Sequence, residues 1–381
     1  MNEVKRLREL VMAGARKRWN GDEMALFAAK RLDYELSVID NGAWADYFIM
    51  VADMVEAARS AGGIVGPGRG RAAASAVLYA LGVTSVNPFK HENLLFELFF
   101  PSEKANDASL VCVDFDGTGY TAALSYLKSR FGEIKAEPRT FHAAPEWWLV
   151  GGRCVGVTHL EVLDRVVAAV KLIAEKHGAA PNLDALPEDG VSGLSFICNA
   201  DTAGIPGFDT PSARRWIRRL QPKDMRELTI IHALHSPYRE EKLIEYEEGA
   251  CLSRPSAICR LSASREYLLE TRGVVVYDEQ VMLLLKRLGG FTLDEAYRCR
   301  KALARKITSL ALEFRERFIS GFVGNAELCK AEGLSTEEAQ GQAGQIWSEL
   351  EHDAVFTSPK AHSIAQVRLA CLVDIVRTVL V

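Results

Sequence analysis

None of the 8 cysteines forms a Cys-x-x-Cys pair. Cys251 and Cys259 stand too far apart for a zinc knuckle and have no His/Cys set beside them, so no zinc site is expected. Free buried thiols in a reducing cytoplasm are the expectation. No run of apolar residues approaches the about 18 that a membrane span requires. The start MNEVKRLREL is too charged for a signal peptide. These absences predict a cytoplasmic protein with no membrane contact. Positive charge is not in excess either: 46 Lys and Arg face 50 Asp and Glu, a net charge of −4. That rules out a strongly basic nucleic-acid coat but leaves room for a local basic groove. Internal repeats and low-complexity tracts are also missing. What remains is ordinary for a soluble globular chain, with 48% apolar and 25% charged residues over a length of 381, enough for two or three domains.

Hydrophobic periodicity places helices over residues 1–18, 24–40 and 47–62, the last stopped by Gly62 and Gly63. A short strand, Ile64–Val65, then runs into Gly66–Pro67–Gly68–Arg69–Gly70–Arg71 and an Ala-rich helix, AAASAVLYALG. Strand, Gly-rich turn and small-residue helix in that order form a phosphate-binding layout. LVCVDF at 110–115 reads as a strand ending in acidic groups, followed by the helix TAALSYLKSRFG. RCVGVTHLEV reads as another strand and DRVVAAVKLIAEKHG as a helix. Residues 180–212 read as loops between short elements. A basic helix, ARRWIRRLQP, follows, and the chain from 277 onward is almost wholly helical by period. The composition thus divides into an α/β portion and a mostly helical portion.

The ordered series Asp46–Tyr47–Phe48, Gly66 to Arg71, Asn87–Pro88 and Leu94–Leu95–Phe96–Glu97–Leu98–Phe99 resembles the palm of the bacterial DNA polymerase III alpha subunit, a C-family polymerase. Its motifs there are a GYF-type segment, GPGRGS, a small-residue helix and LLFERF. The resemblance resumes at Ser212–Pro222, at Gly273-x-x-x-Tyr277–Asp278–Glu279–Gln280–Val281–Met282, at Gly290–Phe291–Thr292, along Ala296–Lys306, and at Lys360–Ala361–His362. It implies a palm of the nucleotidyltransferase type, α/β with a mixed β-sheet, followed by a mostly α-helical fingers domain. The expected division is 1–45 as N-terminal helices, 46–176 as palm and 177–381 as fingers. The family's phosphoesterase, clamp-binding and oligonucleotide-fold regions have no counterpart here. About 25 residues between Gly132 and Val157 are too few for its thumb.

The family holds two divalent metals, Mg²⁺ or Mn²⁺, on a Pro-Asp-x-Asp-x-Asp-Phe strand and on a later Lys-Phe-Asp-Phe strand. Counting back without gaps from Phe131–Gly132 places Leu110 and Cys112 on the first two ligand positions and leaves only Asp114 as a matching aspartate. A two-residue slip instead places Asp114 and Asp116 there, on one face of a strand. Both registers remain open at this point. His159 falls on the third aspartate, with Val157 on the family's lysine, and Glu161, two residues on, is the substitute acid. Asp114–Phe115–Asp116–Gly117 is equally what a strand running into an Asp/Gly turn looks like. Arg71 replaces the family's serine, Leu98 an arginine and Ser236 another. Departures cluster where the chemistry lies.

Several functional features persist. Gly66, Gly68, Arg69, Gly70 and Arg71 would cradle phosphate oxygens, and Lys360 and His362 keep fingers positions that face an incoming nucleoside triphosphate. Arg214, Arg215, Arg218 and Arg219 make a helix that repels itself unless anions lie near. Arg300, Lys301, Arg305 and Lys306 add basic charge, and Trp147–Trp148 is a pair that either stacks on a base or packs a loop. Three functions fit. The first is a catalytically degenerate relative that binds nucleic acid, single-stranded or primer-template DNA, or nucleotide through a palm–fingers cleft, with a protein partner in replication, repair or a mobile element and no cofactor. The second is a minimal DNA-directed DNA polymerase or nucleotidyltransferase using Asp114, Asp116 and Glu161, with Asp114 and Asp116 holding the metals. The third is a structural module without a ligand.

Overall fold

The computed structural model describes residues 2–19, 22–101, 111–137, 146–179, 194–249 and 256–380. The chain divides into two compact units. The first comprises Met1–Thr210, Gln221–Arg226 and Ala361–Val381, and the second Pro211–Leu220 and Glu227–Lys360.

Three helices open the first unit: α1 (Glu3–Arg18), α2 (Asp22–Asn41) and α3 (Ala45–Ser60). Asn2 caps α1 by accepting the Val4 N–H, and Arg16, Lys17 and Arg18 sit in its last turn, where they complement the helix dipole. Leu7, Val11 and Ala15 recur every fourth residue and form its buried stripe. Phe48 of α3, Phe96 and Phe99 of the short helix α5 (Phe96–Phe99) and the following Phe100 pack edge-on and stacked on one another within the same core.

The sheet of this unit has the order β1–β4–β3–β2, with β1 (Cys112–Phe115), β2 (Lys135–Glu137), β3 (Glu146–Val150) and β4 (Arg153–His159). β1 and β4 pair in parallel and the other two pairs are antiparallel, so the sheet is mixed, as expected, and the two anticipated strands are neighbours. β3 and β4 are joined by Gly151 and Gly152 at φ +56° and +82°, the left-handed pair that a tight hairpin turn requires. Strands β2 and β3 are not legible as such in the sequence. The Trp147–Trp148 pair lies within β3 rather than in a loop, and Trp148 packs against the core.

Three further expectations are corrected. Ile64–Val65 is not a strand, and Val65 alone forms an isolated antiparallel bridge with Phe115. The Ala-rich stretch is not one helix: a tight turn of helix, Gly70–Ala74, stops at Ser75 before α4 (Ala76–Ala80). β4 ends at His159, two residues before Glu161, which instead opens α7 (Glu161–His177). The acids Glu161 and Asp164 in its first turn favour that start. Leu110 and residues 180–193 of the expected loop region, with Cys251, lie outside the described residues.

Ser75 interrupts the Ala-rich stretch because a buried acid claims the amides beyond it. Glu35, with no solvent exposure, accepts from the Ser75 hydroxyl at 2.7 Å and from the Ala76 and Val77 N–H groups at 3.0 Å. Arg31, one turn earlier on α2, neutralises it at 2.7 Å. The helix Lys360–Leu380 completes this unit: Ala361, Ile364 and Ala365 pack on Ala73 and Ala74, and Arg368 donates to the Ser85 hydroxyl at 3.2 Å.

The second unit is helical among its described residues, as its sequence period predicts. The helices Asp278–Gly289, Leu293–Ala304, Thr308–Val323 and Thr336–Asp353 surround Phe318, Phe322 and Trp347. Capping boxes at Thr292–Glu295 and Ser335–Glu338 fix two of the helix starts.

Glu35→Ala leaves Arg31 and two helix amides without their acceptor, so it should lower the unfolding free energy of the first unit by about 3–5 kcal/mol, the usual cost of breaking a buried pair. Urea denaturation followed by circular dichroism measures this, and a loss below about 1 kcal/mol would refute the assigned role.

Candidate functional site

The Gly-rich turn of the first unit lies against β1. Gly66 donates its N–H to the Asp114 carbonyl at 2.8 Å, and a Cβ on Gly66 would stand 3.0 Å from that of Asp114. Gly68, at φ +125°, passes so near Thr84 that a Cβ would lie 2.5 Å from its hydroxyl. The glycines are therefore required for close packing. Two of the turn's amides already have internal acceptors, because the Gly70 N–H bonds to His362 Nδ1 at 3.2 Å. His362 thus accepts through Nδ1 and carries its ring proton on Nε2. Burial pushes its pKa down to about 4, with the charge of Arg69 adding to the effect.

Asp114 is 1% exposed. Arg69 Nε lies 3.0 Å from its Oδ1 and 3.1 Å from its Oδ2, donating to the latter. Burial raises the carboxyl pKa of Asp114, and Arg69 opposes that shift. Alternation places Cys112 beside Asp114 on this face of β1, opposite Gly156 and Thr158 of β4. Burial pushes the Cys112 thiol up to about 12, with Asp114 adding to it, so the thiol stays protonated at neutral pH. Arg71 is half-buried in the turn that follows Arg69.

Asp116 does not share the strand with Asp114. It caps α6 (Gly117–Phe131), accepting from Thr118 and Gly119 at 3.3 and 3.0 Å, and it also accepts from Ile64 at 2.8 Å. The same-face expectation for the pair is thereby corrected, because β1 ends at Phe115 and the chain turns into a helix. Glu161 is exposed at the first position of α7. His159 stands opposite Phe115 in the register and pairs with Asp164 at 2.6 Å. Asp164 in turn accepts from the Gly117 N–H at 2.7 Å, and this bond, with His159 beside it, lowers its pKa. Asp164 was not anticipated. The signal for it was the pair of acids three residues apart at a helix start.

Arg215, Arg219 and Lys360 belong to the second unit, where each has an acidic partner. Arg215 pairs with Glu240, and Arg219 grips both oxygens of Glu247 while lying over the Trp216 ring. The anions that the basic helix Pro211–Leu220 needs are thus supplied by the helix Glu240–Glu248. Lys360 is buried, with Nζ 2.6 and 2.8 Å from the Glu270 oxygens, so the expectation that it faces a triphosphate is corrected by this internal pair. Arg300 is likewise buried against Asp278 at 3.0 Å.

Comparison with known proteins bears directly on this arrangement. Residues 5–142 match the bacterial DNA polymerase III alpha NTPase domain, and residues 159–326 match the finger domain of the same subunit. The chain belongs to the bacterial DNA polymerase III alpha subunit family. It is 21% identical over 467 residues to the DNA polymerase III subunit alpha of Staphylococcus epidermidis, covering 94% of this chain and 42% of that protein. The corresponding proteins of Halalkalibacterium halodurans and Bacillus subtilis are each 24% identical, with 96% of this chain and 41% of theirs covered. The chain therefore spans about two-fifths of the length of these polymerase III alpha relatives.

A divalent-metal site of the kind the polymerase III alpha resemblance implies does not fit the side chains as arranged. Asp114 faces a guanidinium, Asp116 accepts from three amides, and Glu161 is exposed at a helix start. Among the described residues no three His, Cys, Asp or Glu side chains converge to hold a metal ion.

Glu279, in the family-like Tyr277–Met282 segment, accepts the Lys360 N–H with both oxygens at 3.0 and 3.1 Å and has no solvent exposure. Burial, with Asp278 adjacent, raises its pKa from 4.5 to about 7. The folded state then binds this proton more tightly than the unfolded one, so its contribution to stability falls as pH rises from 4.5 to 7. Thermal unfolding across this range should show a steeper decline for the parent chain than for Glu279→Gln, and identical pH profiles would contradict it.

Proposed function

We propose that this chain is a polymerase III alpha-related protein that binds nucleic acid or nucleotide and has lost metal-dependent phosphoryl transfer. One observation carries the reading: Arg69 holds Asp114 at 3.0 Å, so the central carboxylate of the palm-like unit already has its cation. Asp116, spent on three backbone amides, supports it. So does α6, which starts directly after Asp116 and runs unbroken to Phe131, in keeping with the ungapped register that puts Cys112 on a ligand position. The mixed sheet with parallel β1 and β4 suits a palm of the nucleotidyltransferase type. The ligands proposed are single-stranded or primer-template DNA and a nucleoside triphosphate, met at the Gly-rich turn with Arg69 and Arg71. A protein partner in replication, repair or a mobile element, and a cytoplasmic setting, belong to the same proposal. No described helix is long and apolar enough to cross a membrane.

Primer extension is the decisive assay. The purified chain should give no templated extension with Mg²⁺ or Mn²⁺, yet should bind labelled DNA in fluorescence anisotropy at low salt. Binding should weaken by about 0.9 log unit per log unit of salt for each phosphate neutralised on duplex DNA. Robust metal-dependent extension, abolished by Asp114→Asn, would establish a minimal polymerase instead. Absence of any binding at low salt would leave a structural or protein-interaction module.

A further inference from the structure

A cavity of about 170 Å³ opens between α1, α3, the end of α6 and the turn that joins β3 to β4. It lies at the end of the sheet away from Asp114. Arg153, in its wall, opens β4 five residues before Thr158, the register partner of Asp114, a separation of about 17 Å along a strand. Ile49, Met50 and Val150 give the cavity a buried apolar lining, and Phe131 adds a large apolar side chain that this unit leaves exposed. Charge in the wall is balanced, with Arg6, Arg130 and Arg153 facing Glu3, Asp46 and Asp53. Two pairs are closed. Arg6 lies 3.0 Å from Asp53, which also accepts from the Tyr126 hydroxyl at 3.3 Å. Arg153 lies 2.6 Å from Asp46 and also donates to the Ala43 carbonyl at 2.7 Å. Arg130 is different. Exposed in the last turn of α6, it makes no hydrogen bond or ion pair among the described residues and has only the neighbouring Phe131 ring, 5.8 Å away. Its charge reaches the cavity: burial pushes the Tyr126 phenol up to about 12, Asp53 adds to the shift, and Arg130 opposes it.

Size, composition and charge together select an occupant. At about 170 Å³ the cavity is smaller than the about 300 Å³ at which pockets for small molecules and cofactors begin, so it suits one side chain rather than a nucleotide. Arg, Tyr, Phe and Met are the residue types enriched where protein surfaces meet. A balanced wall offers a polyanion no net attraction, whereas one uncommitted guanidinium matches one carboxylate. Glu3, exposed in the first turn of α1, is the other uncommitted charge and disfavours a second acid. We infer that this cavity docks a protein partner, taking up one apolar side chain of an extended segment while Arg130 binds the carboxylate of the adjoining Asp or Glu. This rests on the part of the reading above that gives the chain a protein partner, and not on its nucleic-acid part.

The experiment uses the full chain, labelled at its Met ε-methyl and Ile δ-methyl groups, and two capped dipeptides as probes, N-acetyl-Leu-Glu-amide and N-acetyl-Leu-Lys-amide. In methyl NMR the Leu-Glu probe should shift the Met50 and Ile49 signals saturably, and the Leu-Lys probe should bind about tenfold weaker, the equivalent of one charge-assisted hydrogen bond. Arg130→Ala should lose about tenfold in affinity for the Leu-Glu probe. Arg130→Glu should reverse the preference between the two probes. The exposed position of Arg130 lets both variants fold, and their methyl spectra report that directly. Absence of a saturable shift at these methyls, equal affinity for the two probes, or a preference that Arg130→Glu leaves as it was overturns the inference. DNA anisotropy with the same variants is the separate readout and should match that of the parent. A parent chain that binds no DNA defeats the nucleic-acid reading and leaves the docking result standing.

Discussion

The ion pair between Arg69 and Asp114 governs the first unit. A carboxylate on the central face of a buried strand needs compensation, because removing a lone charge from water costs several kcal/mol. The Gly-rich turn brings that compensation within reach only because Gly66 lets the backbone lie against β1. The turn, the strand and the helix that carries His362 are then mutually fixed through Gly70 and Arg69. The same closeness makes the turn and the strand one rigid piece.

A second regularity runs through both units. Helix starts that look ready for phosphate are already filled by the protein's own acids. Asp116 closes the start of α6, Glu35 that of α4, and Glu349 accepts from Ala257 and Ile258 at the start of the helix Ala257–Arg260. Each satisfies amides that would otherwise be orphaned. Anion binding at a helix start requires those amides to be open, and at these three starts they are occupied.

Much of this was legible in the sequence. The helical periods of α1, α3 and α6, the two Val-rich strands and the helical second unit all follow from local pattern. What was not legible depended on partners distant in the chain. Nothing near Asp116 says that Ile64 will donate to it, and nothing near Arg219 says that Glu247 will bind it. The end of β4 was misread because Thr158–His159–Leu160–Glu161 alternates like a strand, whereas the acidic first turn of α7 marks a helix. Glu35 reads as one more charge on an amphipathic helix, and only the fold reveals it as buried. The family resemblance singled out the carboxylates but could not tell what each of them contacts, because contacts are made by residues distant in the chain.

The helix Lys360–Leu380 has a consequence for how the molecule is made. Residues from Ala361 onward belong to the first unit, although the whole second unit lies before them in the chain. On the ribosome, Ala73, Ala74, Ser85 and Gly70 emerge early, while the residues that pack on or bond to them, Ala361, Ile364, Arg368 and His362, emerge only after the second unit has been synthesised. Domains generally fold as units in the order of synthesis, but here the later unit has all its residues first. Until then the first unit holds its Gly-rich turn through Asp114, with the Gly70 amide still lacking the imidazole of His362.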